Sequence, residues 1–219
     1  MKSDSAHTFK ATRCDGKDMM PELSDFARFV GLEKIVPGRY SFLLLLELYA
    51  GVKSGLQHSK NVIDEIEALE GLQKKSGSKQ ASPLHHEQLK GLWHKHYLED
   101  GLASMARNLS RGLGKYGIPS FEKGIADAQL SGEERYVTKA DIPHIVNDTI
   151  SGNWERLKND SALTGEWLIF AQHENKNYYL CLGRHKSDPQ ILRAQIDAFC
   201  VREFPFLINI LSKNTASGT

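Results

Sequence analysis

The sequence predicts a mostly helical α+β protein, with a helical N-terminal two-thirds, a small antiparallel sheet and a final helix. Three observations predict this class: helical apolar spacing over most of the chain, two aromatic-rich alternating segments near the C-terminus, and an Asp-Pro pair that opens a last helix. The chain has 219 residues, of which 40% are apolar and 25% charged. This composition is ordinary for a globular protein that buries its own core.

The N-terminal region, residues 1–83, is predicted to be helical. Residues 21–32 and 41–75 place their apolar side chains at helical spacing, and glycines in the second segment are points where the helix can break. Residues 7–14 alternate between polar and apolar side chains and are a candidate edge strand. Residues 76–83 are rich in small and polar side chains and form the best linker of the chain.

Residues 84–219 are predicted to contain further helices, a hairpin and the final helix. We expect them to form one compact domain together with the N-terminal region. Residues 84–113 have the pattern of one helix or two. Two more helices are predicted at residues 121–130 and 138–160, where apolar side chains recur on one face.

Residues 166–172 and 177–183 are predicted to form a β-hairpin that turns at Glu174 and Asn175. Both faces of this hairpin are apolar, so both need cover. Because two strands alone are marginally stable, we expect a third strand, for which residues 7–14 are the best candidate. After the hairpin, the Asp-Pro pair takes the N-cap and first positions of the final helix.

Composition and charge exclude several classes of protein. The longest strongly apolar run, residues 42–46, is far too short for a membrane span, and the first ten residues lack the apolar core of a secretory signal. Cys14, Cys181 and Cys200 are too few for a disulfide scaffold, and their odd number favours a reducing compartment. We therefore expect a cytoplasmic protein that does not associate with membranes. The formal net charge of +1 means that any contact with RNA uses a local patch.

Four histidines lie close together in the sequence and are candidate metal ligands: His85, His86, His94 and His96. A zinc site needs three or four converging ligands, which on a helix are commonly four residues apart. None of these pairs has that spacing, and no cysteine is nearby. Surface histidines with one partly buried member explain the pattern better, so we expect no metal and no cofactor.

A second cluster follows if residues 84–113 form one straight helix. Four polar side chains would then project within about a quadrant of Trp93, namely those of His96, Asp100, Arg107 and Arg111. Arginine guanidinium groups suit carboxylates and phosphates. A solvated face on which Asp100 pairs with Arg107 or His96 explains the same pattern.

The third cluster joins the hairpin to the final helix. Arg184, His185 and Lys186 are consecutive cation-capable side chains that end a buried strand and precede a helix N-terminus. Such a position favours an anion, because backbone N–H groups and the helix dipole point towards it. Against this, Asp188 at the N-cap already occupies part of the anion position, as it would in an ordinary strand-to-helix connection.

These clusters give three functional hypotheses. The first is a protein that binds a phosphate-bearing substrate, with RNA favoured, as a metal-independent ribonuclease or toxin-like enzyme. Its candidate catalytic residues are His96, His185 and Arg107. Its candidate phosphate-binding residues are Arg184, Lys186 and Arg111, and Trp93 and Asp100 flank the site. The second is a non-catalytic protein that binds an acidic protein partner, and the third is a metalloprotein that uses the four histidines.

The closing order of hairpin, basic strand end and helix resembles that of compact bacterial ribonuclease toxins. This resemblance covers only about the C-terminal quarter of the chain and includes no specific motif, so it assigns no family. The distance between His96 and His185 in the folded chain separates the hypotheses best. The enzyme needs the second and third clusters in one cleft, whereas the interaction protein needs an exposed apolar patch beside its basic face.

Overall fold

The sheet and helices of the computed structural model are described for residues 7–72, 76–99, 101–132 and 137–212. They form a mostly helical α+β structure, which confirms the predicted class. Its antiparallel sheet has the strand order β1-β2-β3-β4. The strands are Ser82–Pro83, Trp93–Tyr97, Glu166–His173 and Lys176–Gly183.

Helices make up most of the remaining described chain. Those before the sheet are α1 (Met20–Phe29), α2 (Leu32–Ile35), α3 (Phe42–Lys53) and α4 (Ser59–Leu69). Between β2 and β3 lie α5 (Leu102–Tyr116), α6 (Pro119–Ser131), α7 (Asp141–Asn147) and α8 (Asn153–Asn159). After β4 come α9 (Pro189–Gln195), α10 (Val201–Glu203) and α11 (Leu207–Ser212). A π-helical turn joins α7 to α8, and a second joins α9 to α10.

The chain divides into two compact units. Unit 1 comprises residues 1–76, 80–99 and 165–219, and unit 2 comprises residues 77–79 and 100–164. Unit 1 therefore combines the N-terminal helices with the hairpin and the C-terminal helices. The expectation of one domain stays a prediction.

The predicted hairpin is confirmed as β3 and β4. Its turn lies at Glu174 and Asn175, whose φ angles of 49° and 59° are the left-handed values that a tight connection requires. The register shifts near Ile169, which pairs with Cys181, so these two side chains share a face of the sheet. The sequence predicts opposite faces for these two side chains, because it assumes a regular hairpin without a bulge. A bulge of one residue reverses the faces of all side chains beyond it.

The prediction that residues 84–113 are helical throughout is wrong, because residues 93–97 form strand β2 beside β3. Its Lys95 and His96 are only 4% and 5% exposed, so this polar sequence forms a buried strand. Residues 7–14 do not take the predicted place as a third strand of this sheet, since β2 occupies it. Within that segment Thr12 forms only an isolated bridge, with Asp18.

Both faces of the sheet in unit 1 are covered, as the apolar hairpin predicted. One face packs against the N-terminal helices through core side chains such as Leu44, Leu48 and Phe170. The other packs against the C-terminal helices, where Ile196 and Leu207 are fully buried. Burial of this kind is the main source of stability in a domain.

Unit 2 is built from helices α5 to α8, which include those predicted at residues 121–130 and 138–160. Helix α5 buries small and polar side chains, namely Ser104, Asn108 and Gly112. The Asn108 amide donates to the Thr164 carbonyl at 2.8 Å and accepts from the Thr164 N–H at 2.9 Å. This two-way hydrogen bond ties α5 to the segment that precedes β3.

Candidate functional site

The carbonyl oxygen of Gly165, just before β3, lies between two histidines of unit 1. The Nδ1 atom of His96 is 2.9 Å from this oxygen, and the Nε2 atom of His185 is also 2.9 Å from it. A carbonyl can only accept, so the His185 Nε2 atom carries its proton, whereas His96 Nδ1 is also 3.4 Å from the Gly165 N–H. In neutral His185, Nδ1 is therefore the atom with the lone pair.

The two imidazole rings are stacked, with 5.4 Å between their centroids and 27° between their planes. His96 is buried, whereas His185 is exposed. Trp167 lies edge-on to the His185 ring, with a centroid distance of 4.9 Å. Of the two histidines, His185 is thus the one that a ligand can reach, and His96 fixes its position.

Side chains of unit 1 also hold the backbone of the loop that joins β4 to α9. The His185 N–H donates to Glu166 Oε2 at 2.7 Å, and the Arg184 N–H donates to Ser187 Oγ at 3.0 Å. Asp188 Oδ1 accepts from the Gln190 N–H at 2.8 Å, which is the predicted N-cap. Because oxygen atoms of the protein already accept from these amides, a phosphate would contact the side chains of the loop.

The cationic side chains of this loop face solvent. Arg184 is 71% exposed, and its Nε atom lies 3.8 Å from Glu99 Oε1, a long and weak ion pair. Lys186 is exposed as well. Both side chains are therefore accessible to a ligand that approaches His185.

Trp93 does not form the wall beside His96 that the sequence predicted. Its ring packs partly buried against the core on the α1–α4 side of the sheet, 6.5 Å from Phe170 between centroids. Trp93 and His96 are three residues apart on β2, and side chains separated by an odd number of residues point to opposite faces of a strand. The prediction failed because it assumed a helix.

The remaining members of the predicted cluster do not share a helix with His96. Arg107 and Arg111 are exposed on α5, in unit 2. Asp100, the predicted partner of these arginines, lies outside the described residues. The structure thus brings together His96, His185 and the Arg184 loop within unit 1.

Sequence reasoning missed a further group, the carboxyl of Glu47, which faces a cavity of about 640 Å³ in unit 1. Burial raises the pKa of Glu47 to about 7, although the Leu182 N–H, which donates to Oε2 at 2.6 Å, acts in the opposite direction. A signal for it exists in the sequence, since Glu47 interrupts the otherwise apolar first turns of α3. A perturbed carboxyl in a cavity is a typical feature of functional sites.

The four clustered histidines do not form a metal site. His85 and His86 are exposed before β2, while His94 and His96 lie on the strand itself. Across residues 7–72, 76–99, 101–132 and 137–212, no three His, Cys, Asp or Glu side chains are grouped so that they could hold a metal ion. The metalloprotein hypothesis therefore has no site in this part of the chain.

Comparison with known proteins found no matching family model, no matching curated protein and no matching solved structure. Among the helices of the described residues, none is long and apolar enough to cross a membrane.

Proposed function

We propose that unit 1 binds a phosphate-bearing substrate at the loop that joins β4 to α9, and acts on it as a metal-independent acid–base enzyme, with RNA as the favoured substrate. The observation that supports this proposal is the contact between His96 and His185, which share the Gly165 carbonyl and stack 5.4 Å apart. Two imidazoles held this closely give one reactive group and one group that positions it.

His185 supplies the proton transfer in this proposal. With Nε2–H bound to the Gly165 carbonyl, its Nδ1 lone pair takes the proton from an attacking hydroxyl group. The imidazolium that results remains stabilised by the same carbonyl, and its proton is then available to the departing oxygen. His96 is too deeply buried to touch the substrate and acts as a positioning residue.

Arg184 and Lys186 bind the phosphate. Both are exposed and lie on either side of His185 in sequence, so a phosphate beside the imidazole is within reach of a guanidinium or an ammonium group. Charge-assisted hydrogen bonds of this kind are about twice as strong as neutral ones. They also compensate the negative charge that develops on phosphate oxygens during transfer.

A binding titration with a fluorescent single-stranded RNA tests the phosphate contacts. The double variant Arg184→Gln/Lys186→Gln should bind about 1–3 kcal/mol more weakly for each charged hydrogen bond lost, with a shallower dependence on salt. Lys34→Gln/Lys176→Gln removes the same charge from exposed positions elsewhere in unit 1 and should bind like the wild type. Equal weakening by both double variants would show that only net charge matters.

Cleavage of the same RNA in the presence of EDTA tests the role of His185. His185→Gln should abolish metal-independent cleavage while RNA binding persists, because the phosphate contacts remain. The variant Arg107→Gln/Arg111→Gln tests whether the predicted roles of these α5 residues in catalysis and phosphate binding hold. Wild-type protein that binds RNA but does not cleave it would contradict the enzymatic part of the proposal.

A second candidate function, binding of an acidic protein partner, is favoured by the exposed surface of α5. Leu102 is 86% exposed and Met105 is 42% exposed, on the same helix as the exposed Arg107 and Arg111. At about 100° per residue the two arginines lie on roughly the opposite side of α5 from Leu102 and Met105, so the exposed apolar patch is what supports this candidate, as a surface for an amphipathic segment.

A fluorescent amphipathic peptide of Leu and Glu residues tests this second function. Leu102→Ser/Met105→Ser should lower the affinity for the peptide about tenfold, which corresponds to about 1.4 kcal/mol. Leu130→Ser on α6, a site that is 87% exposed, is the matched control and should leave the affinity unchanged. An equal loss with the control would show that the peptide adheres to any exposed apolar side chain.

A further inference from the structure

The cavity beside Glu47 is a second candidate site in unit 1, separate from the imidazole pair. Its walls come from α3 and the residues after it, from the end of β2 and the residues after it, from the end of β4, from the loop between β4 and α9, and from α9 itself. Its volume of about 640 Å³ is typical of sites that hold a small organic molecule. Neither His96 nor His185 lines it, although Arg184 of the same loop does.

The charged side chains of the cavity wall are three carboxylates and one guanidinium, those of Glu47, Glu99, Asp188 and Arg184. One of the carboxylates has a cationic partner within the wall, and another accepts from a backbone N–H outside it. Arg184 lies beside Glu99, and Asp188 caps helix α9. Glu99 is thus balanced by a cation and Asp188 is exposed to solvent, which leaves Glu47 as the wall carboxylate whose ionisation burial penalises.

Glu47, by contrast, has no cation beside it among the residues that the structure describes. Its Oε2 atom accepts from the Leu182 backbone, and within the described residues its Oε1 atom has no hydrogen-bond donor and its carboxylate no ion-pair partner. Ionising a partly buried carboxylate without a counter-charge costs free energy, which is why the pKa of this group is raised. In the described part of the chain, no cation donates a hydrogen bond to Oε1.

We propose that this cavity binds a cationic amine carried on an apolar group, with the ammonium against Glu47. An ammonium supplies the missing charge together with three N–H donors. The apolar part of the ligand fits against Leu56, Leu182 and Ile191, which lie in the same wall. Neutral and anionic ligands leave the charge of Glu47 uncompensated, so they bind more weakly.

Benzylamine and benzyl alcohol are a matched pair of probes, since they share size and ring and differ in the charge of one group. Binding to the intact protein is followed by NMR titration at pH 8, where Glu47 is ionised. We expect benzylamine to bind at least tenfold more tightly than benzyl alcohol. Equal affinity, including no detectable binding of either probe, would overturn the proposal.

Two variants test whether the preference for benzylamine over benzyl alcohol is due to the Glu47 carboxyl. Glu47→Gln keeps an oxygen for the Leu182 N–H but carries no charge, so the preference for the amine should disappear. Glu99→Gln removes a wall carboxylate that already has Arg184 as its partner, and the preference should remain. A preference that survives in Glu47→Gln would overturn the assignment to this carboxyl.

A measurement on the wild-type protein does not depend on how the variants fold. At pH 5 Glu47 is protonated, so the preference for benzylamine should vanish. The titratable groups near this carboxyl are Tyr97, Glu99, Arg184 and Asp188 in the wall and the thiols of Cys181 and Cys200 close by. A preference unchanged between pH 8 and pH 5 would show that another group binds the amine. The assay contains no RNA, so its result is independent of phosphate binding.

Discussion

The two units of this protein bury their side chains in different ways. In unit 1 the sheet has helices on both faces, and Leu168, Phe170 and Tyr179 are completely buried. In unit 2, helices α6 and α7 contain no buried residue among those described, and Ile125 and Leu130 are 45% and 87% exposed. Because local stability follows buried apolar contact, unit 2 should open at a lower free energy than unit 1.

The polar side chains inside each unit show a second difference. Unit 1 buries charges, for example Lys95 with its Nζ atom 3.2 Å from Glu65 Oε2. Unit 2 instead buries neutral groups such as Asn108 and Asn153. A buried charge is tolerated only where the surrounding structure is rigid enough to keep its partner in place. The comparison therefore indicates that the interior of unit 1 holds at least one ion pair in a fixed geometry, whereas the buried polar groups named for unit 2 are neutral.

The largest expected effect tests the core of unit 1. Phe170→Ala removes a ring that is 0% exposed and should lower the free energy of unfolding by about 3–5 kcal/mol. The matched change in unit 2, Ile125→Ala, should cost less than about 1 kcal/mol, because that side chain is already 45% exposed. Urea denaturation of both variants gives the two values, and similar losses would mean that the units are equally well packed.

The second prediction concerns Glu47, whose ionisation lowers the stability of unit 1. The pKa of Glu47 is raised in the folded protein to about 7, from a usual value of 4.5. Between these two values the folded state keeps a proton that the unfolded state releases, so raising the pH destabilises the wild type. Glu47→Gln should therefore be neutral below about pH 4.5 and stabilising by about 3 kcal/mol above about pH 7.

Melting curves of the wild type and Glu47→Gln between pH 4 and pH 8 provide the measurement. The gap between the two proteins should open across the interval from pH 4.5 to 7. A gap that is constant with pH, or that closes as the pH rises, would show that Glu47 titrates normally in the folded chain.

The third prediction uses two glycines of α5 to test how tightly unit 2 is packed. A Cβ at Gly112 would lie 2.8 Å from the Asn153 Cβ, so Gly112→Ala should cost about 1–3 kcal/mol. At Gly114 a Cβ would meet nothing within 4 Å, and Gly114→Ala should stabilise the helix by about 0.5–1 kcal/mol. Amide hydrogen exchange in α5 and α8 measures both changes. Two stabilising substitutions would mean that α5 does not pack against α8 as closely as described.

The elements that the sequence predicts correctly have local causes. The turn at Glu174 and Asn175 follows from residues that tolerate positive φ, and the start of α9 follows from Asp188 and Pro189. Each signal lies within a few residues of its effect. Such features need no knowledge of which segments pair in the folded chain.

The elements that sequence reasoning missed depend on distant partners. Strand β2 is fixed by its pairing with β3, in which His94 lies opposite Ile169. Without knowledge of that partner, a segment of His and Lys residues is predicted to be exposed, and its apolar spacing fits a helix better than a strand. The contact between His96 and His185 has the same origin, since it depends on the register of β2 against β3. The decisive geometry of the site thus became visible only in the folded chain.

The smallest expected effect concerns the loop that joins β4 to α9, which is exposed yet anchored. Arg184→Gln/Lys186→Gln should change the free energy of unfolding by less than about 0.5 kcal/mol, because exposed charges contribute little to folding. Glu166→Ala, by contrast, removes the acceptor that holds the His185 N–H at 2.7 Å, from a residue that is 5% exposed, and should cost about 1–3 kcal/mol. Thermal melts of the two variants at pH 7 make the comparison directly. If the double variant lost as much stability as Glu166→Ala, Arg184 and Lys186 would be part of the structural connection, and their assignment as phosphate ligands would lose its basis.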